Sequence, residues 1–395
     1  MINPNSRLTK HLVETGLFRT DPLVILDVGA RGGFESFWTE LYADQVSFIG
    51  FEPDKEECEK LNHNLDKNSR VYPVALHKDK KERLFYQTAF PDSSGFYRAN
   101  DAVVNRFLDY ISLKVMDTKE VITEDMDSFA REHAIERIDF IKLDVEGAEL
   151  DVLEGAENLL GSSVLGLRLE VLFVEARKGQ PLFSEIEMFL RERGFALFGL
   201  YPFRRARKSL PDRLLPTFVS DYGQVFWAEV LFLRDAVAEL SGRPDRPTDW
   251  NLFKIFKLAS IMEVFGLNDC SIELLQTAAQ KGILPKDRTD GLIDLLVPQI
   301  KGVNLYRDYF RHLILKDLQG FLNGVLRTRP ELRPAGERIV EYFNRGDISL
   351  AMEIIRDEFA PLTEPMEGVA PHMDELQRFF YETLCDTLEQ SMSSR

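Results

Sequence analysis

In the stretch ILDVGARGGFESFW, residues 25–38, an apolar run ends in an acid followed by glycines, spaced Asp27-x-Gly29-x-x-Gly32-Gly33. A buried strand that stops in such a loop and gives way to a helix is the entry to an open α/β sheet, whose ligands bind at the carboxyl ends of its strands. Glycine lets the chain turn sharply there and lets backbone N–H groups approach a ligand with no Cβ in the way. The runs around it repeat the theme. LVILDV (23–28), VSFIGFE (46–52), VYPVAL (71–76), IDFIKLDV (138–145) and VLGLRLEV (164–171) read as buried strands, with helical patterns over 55–64, 146–160 and 184–194. This alternation, from about 22 to 233, predicts βαβ units around a parallel sheet. FALFGLY (195–201) and VFWAEVLFL (225–233) follow one another with no crossover helix and are expected to pair as an antiparallel edge. The segment 83–122, with FPDSSGFYRAND inside it, breaks the rhythm and is expected to form loops or extra strands above the sheet edge, where insertions shape substrate pockets.

At 395 residues the chain exceeds the size at which a single core stops growing, so two domains are expected. SGRPDRPTDW (241–250) has the prolines, glycine and mixed charge of a linker, and helical periodicity takes over after it. The expected division is a domain over 1–240, with a helix at 5–16, and an all-α domain over 245–395. In the latter, WNLFKIFKLASIMEVFG sets Leu252, Phe253, Phe256, Ala259, Ile261 and Phe265 mostly along one face with Gly266 as the C-cap, and HMDELQRFFYETLCDTLEQ closes the chain as an amphipathic helix. The helical domain is a candidate surface for a homodimer or a glycosyltransferase partner.

A net charge of −16 argues against nucleic acid as a partner, because that affinity comes from clustered Lys and Arg. Cys58, Cys270 and Cys385 form neither a metal-ligand spacing nor an even disulfide framework, and no apolar window suits a signal peptide or a membrane span. A cytoplasmic protein with no transmembrane segment is expected.

The dinucleotide fingerprint Gly-x-Gly-x-x-Gly is not met, since Ala30 and Arg31 follow Gly29. Glu52 ends the second strand in GFEPD, 23 residues after Gly29, where a carboxylate accepts hydrogen bonds from ribose hydroxyls in both NAD and S-adenosylmethionine sites. Asp27 separates the two. An acid there disfavours a pyrophosphate and suits a ligand bearing an ammonium and a sulfonium. The expected cofactor contacts are Asp27, Gly29, Ala30, Arg31, Gly33 and Glu52, with S-adenosyl-L-methionine as the cofactor.

Together with IDFIKLDVEGAELDVLEGAENLL (138–160), the segments DVGARGG, IGFEPD and EDMDSF resemble the FkbM family of S-adenosylmethionine-dependent methyltransferases over roughly 22–233. The resemblance implies the class I methyltransferase fold, an α/β Rossmann-like seven-stranded sheet whose last strand is antiparallel. It also implies methyl transfer, mostly to hydroxyls of sugars, glycans or secondary metabolites. Arg31 departs from the Asn that the family commonly carries after the alanine of this loop.

Transfer to an alcohol needs an in-line approach and a group to take the proton. Asp144 at the end of the fourth strand and Glu146 just after it are the candidate catalytic acids, with His77 as the alternative base; Glu149 is read as structural. Glu170 is a substrate-side candidate. FRRARK (203–208) lies between the last two strands, and Arg204, Arg205, Arg207 and Lys208 are expected to attract an anionic acceptor. No metal site is expected, as neither an HExxH nor an EF-hand pattern occurs, a carboxylate-bound Mg²⁺ at Asp144 being the minor alternative. The alternative function is a catalytically degenerate methyltransferase fold acting as a scaffold in a glycan-assembly complex.

Overall fold

The computed structural model describes residues 2–211, 219–242, 249–306, 308–309, 312–313, 320, 327, 330–345 and 347–358. The strands are β1 (Leu23–Val28), β2 (Val46–Phe51), β3 (Arg70–Tyr72), β4 (Ala75–Leu76), β5 (Lys81–Thr88), β6 (Val115–Glu124), β7 (Phe140–Leu143), β8 (Gly166–Leu172), β9 (Phe195–Arg205) and β10 (Gln224–Arg234). The helices up to residue 280 are α1 (Arg7–Glu14), α2 (Ser36–Tyr42), α3 (Lys55–His63), α4 (Asp101–Val104), α5 (Met126–Glu132), α6 (Glu149–Glu154), α7 (Glu157–Ser162), α8 (Phe183–Arg191), α9 (Ala236–Leu240), α10 (Leu252–Val264) and α11 (Asn268–Gln280).

Seven strands form one sheet in the order β3-β2-β1-β7-β8-β10-β9. Every neighbour pairs in parallel except β10, which runs antiparallel to both β8 and β9. This is the class I methyltransferase arrangement. Alternation along the strands divides the side chains between two faces. One face sends Leu26, Val28, Leu143, Leu169 and Val230 into a core closed by Val152 and Leu153 of α6 and Ile186 and Leu190 of α8. On the other face Trp38 and Phe265 pack on Phe140.

Two expected elements divide. VYPVAL separates at Pro73, which has no N–H for a sheet ladder. β3 stays in the main sheet, while β4 pairs with β6 in a second sheet of order β4-β6-β5, built from the inserted segment. The helix expected over 146–160 begins only at Glu149 and breaks at Gly155, where a Cβ would lie 2.5 Å from the His77 carbonyl oxygen. Glu146 therefore stands in the turn before the helix and does not open it.

The chain divides after Thr289, not at 240–245. The reason lies in α10, which is buried on all sides and not along one stripe. Its Lys257 ammonium is held by Asp21 (2.7 Å), Asp139 (2.8 Å) and the Pro22 carbonyl (3.0 Å), at the amino ends of β1 and β7. Its Glu263 carboxylate accepts from the Leu8 and Thr9 N–H groups, capping α1 from far along the chain. Removing either charge leaves the other partner buried and unpaired, so α10 belongs to the sheet unit. Gly266 ends α10 in the left-handed region, as expected. The second unit, from Asp290, contributes the packed helices Arg333–Arg345 and Ile348–Glu358. The expected C-terminal helix at 372–390 lies outside the described residues. Among the described residues no helix is long and apolar enough to cross a membrane.

Candidate functional site

The loop after β1 turns back on β2 and β7. The Gly29 and Ala30 N–H groups both donate to the Phe51 carbonyl (3.0 and 3.1 Å), and the Asp144 N–H donates to the Val28 carbonyl (3.1 Å). Gly29 has φ +85°, and a Cβ on it would lie 2.1 Å from the Asp144 carbonyl oxygen. Both its conformation and this close approach demand glycine.

Above these strand ends lies a cavity of about 380 Å³. Gly29, Arg31 and Gly32 line it from the β1 loop, Glu52 and Asp54 from the end of β2, and Asp144 and Glu146 from the end of β7. Val74 and Leu76 form an apolar wall, and the inserted sheet roofs it with Phe85, Gln87 and Lys119. Arg31 donates to Asp54 (2.9 Å) and stands 3.9 Å from both Glu52 and Asp92. Burial raises the Glu52 carboxyl above its ordinary range, against the Asp54 N–H and Arg31, which favour its charge.

A second cavity of about 250 Å³ adjoins the first and shares Asp92 and Glu146 with it. Phe90, Phe226 and Trp227 supply aromatic wall, and Glu170, Arg177 and Arg205 supply charge. Glu146 has φ +59°, uncommon for a residue with a Cβ, and ion-pairs with Arg177. Burial raises the Glu146 carboxyl, and Arg177 pulls it back down. Glu170 is pushed well above the carboxylate range, first by burial and then by Glu146, Asp144 and Glu149. Glu149 accepts from the Val145 and Gly147 N–H groups (3.1 and 3.2 Å), which fixes the turn that carries Glu146. Its own carboxyl is raised to about 7 by burial.

Of the expected cofactor contacts, Gly29, Arg31 and Glu52 line the first cavity, whereas Asp27, Ala30 and Gly33 do not. The Asp27 carboxylate points across the sheet to the Lys142 ammonium (3.1 Å) and is buried, which raises it to about 6. The pairing follows from register, since Asp27 sits opposite Lys142 on β1 and β7. Ala30 is fully buried in a cluster with Cys58 and Val71. Gly32, not Gly33, faces the cavity.

Asp144 and Glu146 meet in the first cavity, but His77 lines neither. Its Nδ1 accepts the Lys78 N–H (3.0 Å), its ring packs on Phe96, and burial lowers it to about 4. The basic loop is dispersed as well. Arg204 donates to the Gly223 carbonyl (2.9 Å), Arg207 lies over Phe107 and donates to Gln224, and neither they nor Lys208 line either of these two cavities, whereas Arg205 lines the second. The four basic side chains do not converge on one of the cavities, since alternation along β9 turns Arg204 and Arg205 to opposite faces.

Arg177, Asp92 and Trp227 were missed from the sequence. Arg177 lies in the irregular segment after β8 and Asp92 in the insertion, both far in sequence from the motifs. Only their position in loops at the carboxyl ends of strands marks them. Among the described residues no group of three or more His, Cys, Asp or Glu side chains is disposed to hold a metal ion.

Residues 27–197 match the Methyltransferase FkbM domain family. The chain is 27% identical over 183 residues to the AMB antimetabolite synthetase AmbE of Pseudomonas aeruginosa, a match covering 40% of this chain and 9% of that protein. It is 26% identical over 166 residues to the 2-O-methyltransferase NoeI of Sinorhizobium fredii, covering 40% of this chain and 67% of NoeI. Among solved structures, magnesium protoporphyrin IX methyltransferase from Synechocystis aligns at 10% identity with a TM-score of 0.28, over 58% of this chain and 79% of that one.

Proposed function

Since residues 27–197 are an FkbM-family, S-adenosylmethionine-dependent methyltransferase domain, we propose that the protein methylates a hydroxyl of a sugar, glycan or secondary-metabolite acceptor. The observation that carries this reading is the junction of the two cavities at Glu146 and Asp92, where groups held on either side meet.

The first cavity fits the cofactor in its chemistry. A carboxylate at the end of β2, Glu52, suits ribose hydroxyls, and Val74, Leu76, Phe85 and Phe96 form an apolar slot suited to a base. Arg31 in the β1 loop and Lys119 in the roof are the cations that line this cavity and suit a carboxylate. When bound, S-adenosylmethionine supplies an electrophilic methyl group.

The chain's own residues do the rest. Glu146 takes the hydroxyl proton, since burial raises its basicity above that of an ordinary carboxylate while Arg177 keeps it in place. Asp144 orients the hydroxyl from the first cavity. Glu170, raised by burial among other acids, holds its proton and donates a hydrogen bond to the acceptor. The aromatic wall of Phe90, Phe226 and Trp227 offers apolar surface against which a ring packs. The 2-O-methyltransferase activity named for NoeI supports the choice of oxygen over nitrogen or carbon.

The test is calorimetric titration with S-adenosylhomocysteine, followed by methyl transfer from radiolabelled S-adenosylmethionine to a panel of hydroxylated and amino acceptors. Cofactor binding with transfer only to hydroxyls is expected. Transfer confined to amines would overturn the oxygen assignment, and no cofactor binding would favour the scaffold reading.

A further inference from the structure

Glu146 combines a left-handed backbone with a carboxyl set among other acids, and neither condition is stable by itself. Facing it are Asp144 from the end of β7, Glu149 from α6, Glu170 from β8, Asp92 from the inserted turn, and two cations, Arg177 and Arg205. Arg177 ion-pairs with it.

Arg177 is itself firmly anchored. Only 3% of it is exposed. Its guanidinium donates to the Ser93 carbonyl (3.1 Å), and its main-chain N–H is held by the Gln180 side chain (2.7 Å). The flanking backbone is stitched to the insertion, the Lys178 N–H donating to the Arg98 carbonyl and the Asn100 N–H to the Ala176 carbonyl, both at 2.8 Å. Gly147, in the left-handed region at φ +101°, packs against the Arg177 stem, whose Cδ lies 3.5 Å from where a Cβ would stand. One side chain therefore ties the turn after β7, the 91–93 turn and the loop after β8 to a single point on the wall between the cavities.

We propose that Arg177 is a positioning residue that holds the Glu146 carboxylate charged and directed at the junction of the two cavities. It rests on the reading of Glu146 as the base. In the transfer the acceptor O–H proton goes to Glu146 while the new O–CH₃ bond forms, and the electron pair of the broken S–CH₃ bond stays on sulfur. A carboxyl already protonated in the resting protein has no place for that proton. Glu170, in the same cavity, is pushed well above the carboxylate range by burial and by Glu146, Asp144 and Glu149, against Arg177.

The test reads the carboxyl itself. In full-length protein carrying ¹³C at the glutamate carboxyls and bound to S-adenosylhomocysteine, the Glu146 resonance is identified by its loss in Glu146→Gln and titrated. Arg177→Gln is expected to move its midpoint upward by about one pH unit, a tenfold fall in the ionised fraction below it, and Arg177→Lys to restore most of the shift. S-adenosylhomocysteine affinity should change little, since Arg177 does not line the first cavity. Where Gln is not tolerated, Arg177→Met fills the same buried volume without charge and is expected to give the same upward shift. An unmoved midpoint in either neutral variant, with cofactor affinity intact, overturns the proposal. The two readings fail separately: full methyl transfer by Glu146→Gln removes the base assignment and leaves the titration result standing, while an unmoved midpoint beside an inactive Glu146→Gln removes only the role of Arg177.

Discussion

The two adjoining cavities are built in opposite ways. The first takes about half of its lining from short runs at three strand ends, 28–29 with 31–32, 51–54 and 144–146, with the inserted sheet as its roof. The second gathers single residues from separate segments, the inserted turn, β8 and the loop after it, and the β9–β10 pair. A site made of short contiguous runs leaves a motif in the sequence. A site made of scattered side chains leaves none, and its chemistry appears only once the strands are in register.

If the halves are as distinct in function as in construction, substitutions should separate them. Gly29→Val should have the largest effect and strike both, because its side chain meets the Asp144 carbonyl on which the junction is built. A loss of about 3–5 kcal/mol is expected, from overpacking together with the left-handed backbone. Chemical denaturation and S-adenosylhomocysteine titration would read it, and near-normal values in both would break the packing argument.

Glu146→Gln should act on one half alone. Turnover should fall by about 10²- to 10⁴-fold, the range of a positioned base, with cofactor affinity preserved. Glu52→Gln should do the reverse, weakening S-adenosylhomocysteine binding by about 10- to 150-fold through loss of a charge-assisted hydrogen bond. Equal loss of turnover and cofactor affinity in both variants would dissolve the distinction.

Glu149→Gln tests the turn that joins the halves. The folded protein raises this carboxyl to about 7 from an ordinary value near 4.5, so its ionisation opposes folding. The wild type should lose up to about 3 kcal/mol as pH rises from near 4.5 through 7, and the neutral variant should not. Thermal unfolding at pH 5 and pH 8 checks the sign: the variant's Tm advantage should be larger at pH 8. The smallest effect is expected from Arg204→Ala with Lys208→Ala, exposed residues outside both cavities. Acceptor KM should stay within about twofold, as exposed charges contribute little, and a larger rise would restore the basic loop to the acceptor site.

Legibility followed periodicity and spacing. The main-sheet strand LVILDV lies where its pattern set it, the 46–52 strand stops one residue short, and the antiparallel edge pair forms as expected. The helix over 146–160 failed at both its start and its middle, since the turn at Glu146 and Gly147 and the contact of Gly155 with His77 are tertiary demands on a helical pattern. α10 misled for a related reason. Its apolar positions resemble a surface stripe, but its buried lysine and glutamate find partners on the sheet unit, moving the division of the chain to Thr289.

By itself the sequence determined the α/β order of elements, the glycine turn after β1 and the acids at the ends of β2 and β7, because each depends on neighbours within a few residues. It did not determine what Asp27 faces, which of four basic residues in FRRARK reaches a cavity, or that Arg177 would meet Glu146. Those depend on strand register and on the direction of individual side chains across chain separations of tens of residues. Asp27 belongs to Lys142 because β1 lies one strand from β7, and Arg177 reaches Glu146 because the loop after β8 is stitched to the insertion above it. Only the closed tertiary structure brings such groups within the few ångströms over which a buried charge chooses its partner.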